Sequence, residues 1–175
     1  MRLPVAQAVE LIESKGLLKR ERQDQSGKVI AHVAEVLGRD LPTDLIDFYR
    51  ERIARIGDFT SIVPDWNEYV GWRMPDSWIR RLLHLDAVPI FDDGCGNIFG
   101  LDLRPDVDVP AVYFFDHERD FEAPEWAAGS SIGTFLLILA ESDRAVDEGW
   151  PDGWELEIDP DIERCPRAPA IWNAG

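Results

Sequence analysis

Apolar residues recur at helical steps through the first half of the chain and at strand-like steps through the second. Val5, Ala8, Val9, Ile12 and Leu17-Leu18 follow the first pattern up to a polar stretch at residues 20–28, which predicts an N-terminal helix. A short helical pattern over residues 29–37 ends at Gly38, a suitable helix terminator. Pro42, Thr43 and Asp44 then open a helix in which Leu45, Ile46, Tyr49, Ile53 and Ile56 share a face, up to Gly57. Residues 64–78 break the periodicity with two prolines and three tryptophans. Trp66, Tyr69, Trp72 and Trp78 there suit either a wrapped core or an exposed aromatic binding surface.

From residue 87 the period changes. Residues 87–91, 98–103 and 111–115 read as three short strands, joined by the turn Asp92-Asp93-Gly94-Cys95-Gly96-Asn97 and a polar loop at residues 105–110. Their short connections favour antiparallel pairing. Ser130 and Ser131 are placed to cap a helix over residues 132–141, which is apolar nearly all round and so should pack on more than one side, against the sheet. In Trp154-Glu155-Leu156-Glu157-Ile158-Asp159, apolar and acidic residues alternate. That period of two predicts an edge strand with Glu155, Glu157 and Asp159 in a row on one face, closed by Pro160. The expected architecture is α+β: a mixed, mainly antiparallel sheet flanked by helices in a single domain. Residues 1–28 form a helical extension, residues 29–142 the main body, and residues 143–175 an acidic segment packed on it.

Composition sharpens this. With 175 residues, 45% of them apolar and 30% charged, the chain suits one globular domain. Its net charge of −16 is unevenly spread: residues 1–87 carry 14 acids and 13 bases, residues 88–175 carry 20 and 5. Such a surface repels phosphate backbones and anionic lipid, so nucleic acid and membrane are unfavourable direct partners, whereas a basic protein is a suitable one. The first five residues contain no apolar signal-like core, and no apolar run would span a bilayer. Cys95 and Cys165 form no CxxC pair. The expectation is a cytoplasmic protein with free thiols.

Catalytic signatures mostly fail. No P-loop is present, and Gly94-Cys95-Gly96 leads into a strand, where glycines serve a turn. Gly129-Ser130-Ser131-Ile132-Gly133 matches G-x-S-x-G, but residues 123–128 do not read as a strand and no histidine follows the serine, the others being His32, His84 and His117. These histidines lack metal-ligand spacing, and the Asp92-Asp93 turn lacks EF-hand spacing, so neither metal nor cofactor is expected. Cys95 with His117 and Asp116 is the one nucleophilic combination left, without a neighbouring cation to activate the thiol.

The order of motifs carries a resemblance. A helix opening with Leu41-Pro42 and running through Phe48-Tyr49 precedes Val88-Pro89-Ile90-Phe91, the DDGCGN turn and Gly100-Leu101-Asp102. Then come residues 110–118 (PAVYFFDHE), a serine-rich cap and the Phe135-Leu136 helix. Over residues 29–142 this resembles the SUKH superfamily, which includes fungal cell-wall-assembly regulators and bacterial toxin-immunity proteins. The resemblance implies an α+β domain without catalytic apparatus. Pro42, Gly94, Gly96, Asn97, Asp102, Asp116 and His117 then take recurrent positions, most of them structural. It also implies a protein partner, a basic toxin domain, some of which are nucleases. Candidate contacts are Asp92, Asp93, Asp116, Glu118, Glu155, Glu157 and Asp159, with Trp66 and Trp72 as aromatic anchors. A regulatory scaffold is the second reading, and a Cys95/His117 thiol enzyme the third.

Overall fold

The computed structural model describes residues 3–62, 78–105, 107 and 109–173. Trp66, Tyr69 and Trp72 lie outside them. The helices are α1 (Val5–Ser14), α2 (Ser26–Leu37), α3 (Thr43–Glu51), α4 (Trp78–His84), α5 (Ile132–Glu148) and the single turn α6 (Glu155–Ile158). The strands are β1 (Leu18–Arg20), β2 (Ile53–Ile56), β3 (Phe59–Ser61), β4 (Ala87–Asp92), β5 (Ile98–Asp102), β6 (Val112–Phe115) and β7 (Trp126–Gly129). They form one sheet in sequence order with every neighbour antiparallel; among the described residues the one parallel contact is an isolated bridge between Ala127 and Ala170. The fold is α+β, with helices on both faces of that sheet.

Alternation along the strands sends side chains into two cores. Val88, Ile90, Phe99, Leu101 and Val112 face the larger one, with Val5, Val9 and Ile12 of α1, Val29 and Val33 of α2, Leu45 and Phe48 of α3, and Phe135 and Leu136 of α5. Ala87, Ile98, Tyr113, Phe115 and Ala127 face the other, covered by Leu82 of α4 and by Trp154, Leu156, Ile158, Ile162 and Trp172 of the C-terminal segment. Residues of β4 and β5 are therefore buried on both faces, which is why the two strands read as continuous apolar runs. Helix α5 extends seven residues beyond the expected 132–141. It meets the residues that lead into α1 so closely that a Cβ on Gly133 would collide with the Leu3 carbonyl oxygen.

Four expectations need correction. Helix α1 stops at Ser14, and Gly16 (φ 72°) turns the chain into β1, so residues 17–18 are not helical. The third helix ends at Glu51, and Ile53 and Ile56 belong to β2, pairing with β1 and β3; their helical spacing from Tyr49 is coincidental, and β-branched side chains suit the pleated surface. Residues 126–129 form β7. The strand is hard to read because Ala127, Ala128 and Gly129 are small, and smallness is what close packing demands: a Cβ on Gly129 would lie 2.7 Å from that of Phe135. Finally, residues 155–158 form α6 and not an edge strand. Trp154, Leu156 and Ile158 all pack on the second core, Trp154 and Ile158 from one face of the turn, four residues apart. The carboxylate row dissolves: Glu157 is exposed, Glu155 half-buried and Asp159 buried.

The C-terminal segment is tied down by polar bonds too. Asp102 is buried and pairs with Arg104 (3.0 Å) and with Arg167 (3.5 Å). The Arg167 guanidinium also donates to the Leu85 carbonyl, and its backbone N–H donates to the Tyr113 hydroxyl. No helix among the described residues is long and apolar enough to cross a membrane.

Candidate functional site: an acidic end of the sheet

The registers Asp92–Ile98 and Ile98–Phe115 bring the β4–β5 turn beside the end of β6. Both turns are acidic, and each spends carboxylate oxygens on its own backbone. Asp92 Oδ1 accepts the Gly94 N–H, and Asp93 Oδ1 accepts those of Cys95 (2.8 Å) and Asn97 (3.1 Å). Asp93 Oδ2 accepts the Asn97 side-chain amide, and Asp116 Oδ1 accepts the Glu118 N–H. Asn97 joins the two turns: its Oδ1 accepts the His117 N–H at 3.2 Å and lies 2.8 Å from His117 Nδ1. The His117 ring covers Gly96, whose φ of 102° favours glycine and where an added Cβ would stand 3.3 Å from the ring.

Aspartate and asparagine are used here because their short side chains reach backbone N–H groups two residues on and hold a tight turn. Asn97, Gly96 and His117 thus form the joint, and the carboxylates of Asp92, Asp93, Asp116 and Glu118 crowd one end of the sheet around it. Glu118 is exposed, while the neighbouring basic side chains are engaged: Arg119 pairs with Glu125 (2.9 Å) and Arg81 with Asp120. The thiol combination is assembled only in part. The Cys95 turn and His117 do meet, but His117 Nδ1 faces Asn97 and Asp116 is 3.8 Å away. Among the described residues no group of three or more His, Cys, Asp or Glu side chains could hold a metal ion.

Glu155, Glu157 and Asp159 lie elsewhere. The Val112–Gly129 register puts the start of α5 at the opposite end of the sheet, and Asp159 is bound there. Its carboxylate accepts the Ser130 N–H (2.5 Å), the Ser130 hydroxyl (2.6 Å) and the Thr134 hydroxyl (2.9 Å). Asp102 is at that end as well. Burial raises the carboxyl pKa of Glu155. The G-x-S-x-G match does lie between a strand and a helix, contrary to expectation. Its Ser131, however, is buried as the N-cap of α5, accepting the Thr134 N–H, and neither serine hydroxyl bonds a histidine. A further acidic patch, unforeseen, joins the β2–β3 turn to α5: burial, then Asp58 and Asp147, raises the carboxyl pKa of Asp143.

A family model matches residues 26–137, from the start of α2 into α5, and so spans the joint, the buried Asp102 and the serine cap. The chain belongs to the SMI1/KNR4 family (SUKH-1). This is a family generally of immunity proteins and SMI1/KNR4-type regulators. No curated protein matches the chain. Within this SUKH-1 chain, α1 and β1 precede the matched region, and the Asp159 and Arg167 anchors follow it. The signal for those anchors was present as one of three arginines in an acidic tail and as two serines before a helix. Their partners were 25 to 65 residues away, a separation no local pattern bridges.

Proposed function

We propose that the chain is a non-enzymatic immunity protein that neutralises a bacterial toxin by binding its basic toxin domain inside the cell. The observation that carries the reading is the acidic end of the sheet, where Asp92, Asp93, Asp116 and Glu118 surround a rigid turn-to-turn joint in a chain of net charge −16. A toxin acting on nucleic acid presents a basic cleft to phosphates. Fixed carboxylates complement such a cleft, and electrostatic steering speeds their encounter. Asp159 is withdrawn from the contact set, because all its oxygens serve the fold.

The test is co-purification with the product of a toxin gene adjoining this one, followed by titration at rising salt. The reading expects a complex that weakens with salt and that Glu118→Lys loosens at least tenfold. A folded protein that neither binds nor protects against that toxin sinks it. The second reading, a regulatory scaffold, is favoured by the SMI1/KNR4 side of the family description. It is chosen instead if no toxin gene adjoins and the captured partner is a host protein whose binding the Glu118 variant leaves unchanged.

A further inference from the structure

Four basic residues of the first half gather at the edge of the sheet farthest from β7. Lys19 and Arg20 of β1, Arg22 in the following loop and Arg52 after α3 line a groove of about 580 Å³ whose lining includes one carboxylate, Glu21. Arg20 is compensated by Glu51 (2.7 Å) and Glu13 (3.3 Å). Lys19, Arg22 and Arg52 make no ion pair among the described residues. Asp24 stands near enough to feel Arg52, but its carboxylate accepts the N–H and hydroxyl of Ser26. Lys19, Arg22 and Arg52, the last of them beside Asp24, still concentrate positive charge around one cavity, and an anion in the groove is attracted to it.

A second observation is independent of the first. Helices α2 and α5 end on glycines in the left-handed region, Gly38 and Gly149, both at φ 65°. Helix α3 ends instead on Arg52 at φ 52°, a conformation that glycine adopts freely and an L side chain does not. The backbone is locked there by the Arg52 N–H donating to the Tyr49 carbonyl and the Glu21 N–H donating to the Arg52 carbonyl. Strain of this sort collects where a side chain has a task. The side chain kept at this cost is one of the groove's cations.

We infer that this groove binds a phosphate-bearing organic anion of the nucleotide class. Arginine forks and a lysine suit phosphate oxygens. The volume is far beyond a bare phosphate and within the range of small-molecule sites. Apolar Val29 and Ala54 and the amides of Gln23 and Gln25 complete the lining, as the uncharged part of such a ligand requires.

The test is calorimetric titration of the full chain at low salt with ADP, pyrophosphate, adenosine and citrate, without added metal. ADP is expected to bind, pyrophosphate more weakly, and citrate and adenosine at least tenfold more weakly than ADP. Arg52→Gly removes a cation while relaxing the backbone, so it should keep or raise the melting temperature and weaken ADP at least tenfold; Arg22→Ala should weaken it too, with the fold intact. Absence of ADP binding, binding of pyrophosphate alone, citrate matching ADP, or ADP affinity unchanged in both variants would each overturn the inference.

Discussion

Replacing Asp159 separates the structure from the alternating pattern that surrounds it. On an edge strand this carboxylate would point to water, and its removal would change stability by less than about 0.5 kcal/mol. In the structure it is 1% exposed and accepts three short hydrogen bonds from Ser130 and Thr134 at the first turn of α5. Hydrogen bonds to a charged group contribute about 1.5–3 kcal/mol each and are not additive. A carboxylate at a helix N-terminus contributes roughly a further 0.3–1 kcal/mol. Asp159→Ala leaves two backbone N–H groups, of Ser130 and Asp161, and two hydroxyls to find new partners, so a loss of about 3–5 kcal/mol is expected. Asp159→Asn keeps one acceptor but turns an amide N–H₂ toward donors, at a cost of about 2–3 kcal/mol. For a chain of this size the Ala variant should then melt about 6–20 °C lower. Urea denaturation measures both variants, with Glu157→Lys as the exposed control. If Asp159→Ala and Asp159→Asn keep the parent midpoint and slope, the clasp on α5 is wrong.

Three further outcomes follow from the same contacts. Gly96→Ala combines a φ of 102° with a Cβ placed 3.3 Å from the His117 ring, and should cost about 1–3 kcal/mol; an unchanged urea midpoint would contradict the joint. Cys95 is exposed, whereas burial, reinforced by Asp159 and Asp161, pushes the Cys165 thiol up to about 12. Iodoacetamide at pH 8 should therefore label Cys95 rapidly and Cys165 only after unfolding, as peptide mass mapping would show; equal rates in the folded protein would refute that burial. Burial likewise raises the Tyr113 hydroxyl to about 12. The folded state then holds protons that the unfolded state releases from its ordinary values of 9.0 for Cys165 and 10.0 for Tyr113. The stabilisation is complete below pH 9 and is lost as pH rises toward 12. A urea midpoint that stays level or climbs between pH 9 and 11 would show the sign to be wrong.

Local chemistry was legible wherever the deciding neighbours lie close in the chain. The DDGCGN turn needs only its own glycines and short acidic side chains, and the strands within residues 87–103 and 111–115 form and pair as they read. The family too was readable from the order of its motifs, because each is a local solution to a turn or a helix start. The joint across Asn97 and His117 was half-visible: the two segments could be expected to neighbour each other, but not which atoms would meet.

The sequence by itself determined an α+β domain, its acidic excess and the side of the chain that carries it. Only the tertiary structure decided where each charge went. Six alternating residues read as a strand, but Trp154 and Ile158, four apart, share a face of a helical turn, and the second face of the sheet took them together with Leu156. Asp159 went inward because Ser130 and Thr134, 29 and 25 residues away, offered it donors at a helix start. Ile53 and Ile56 became a strand because β1 and β3 lay on either side. In each case the deciding free energy came from a partner distant in sequence, and periodicity carries no record of such partners.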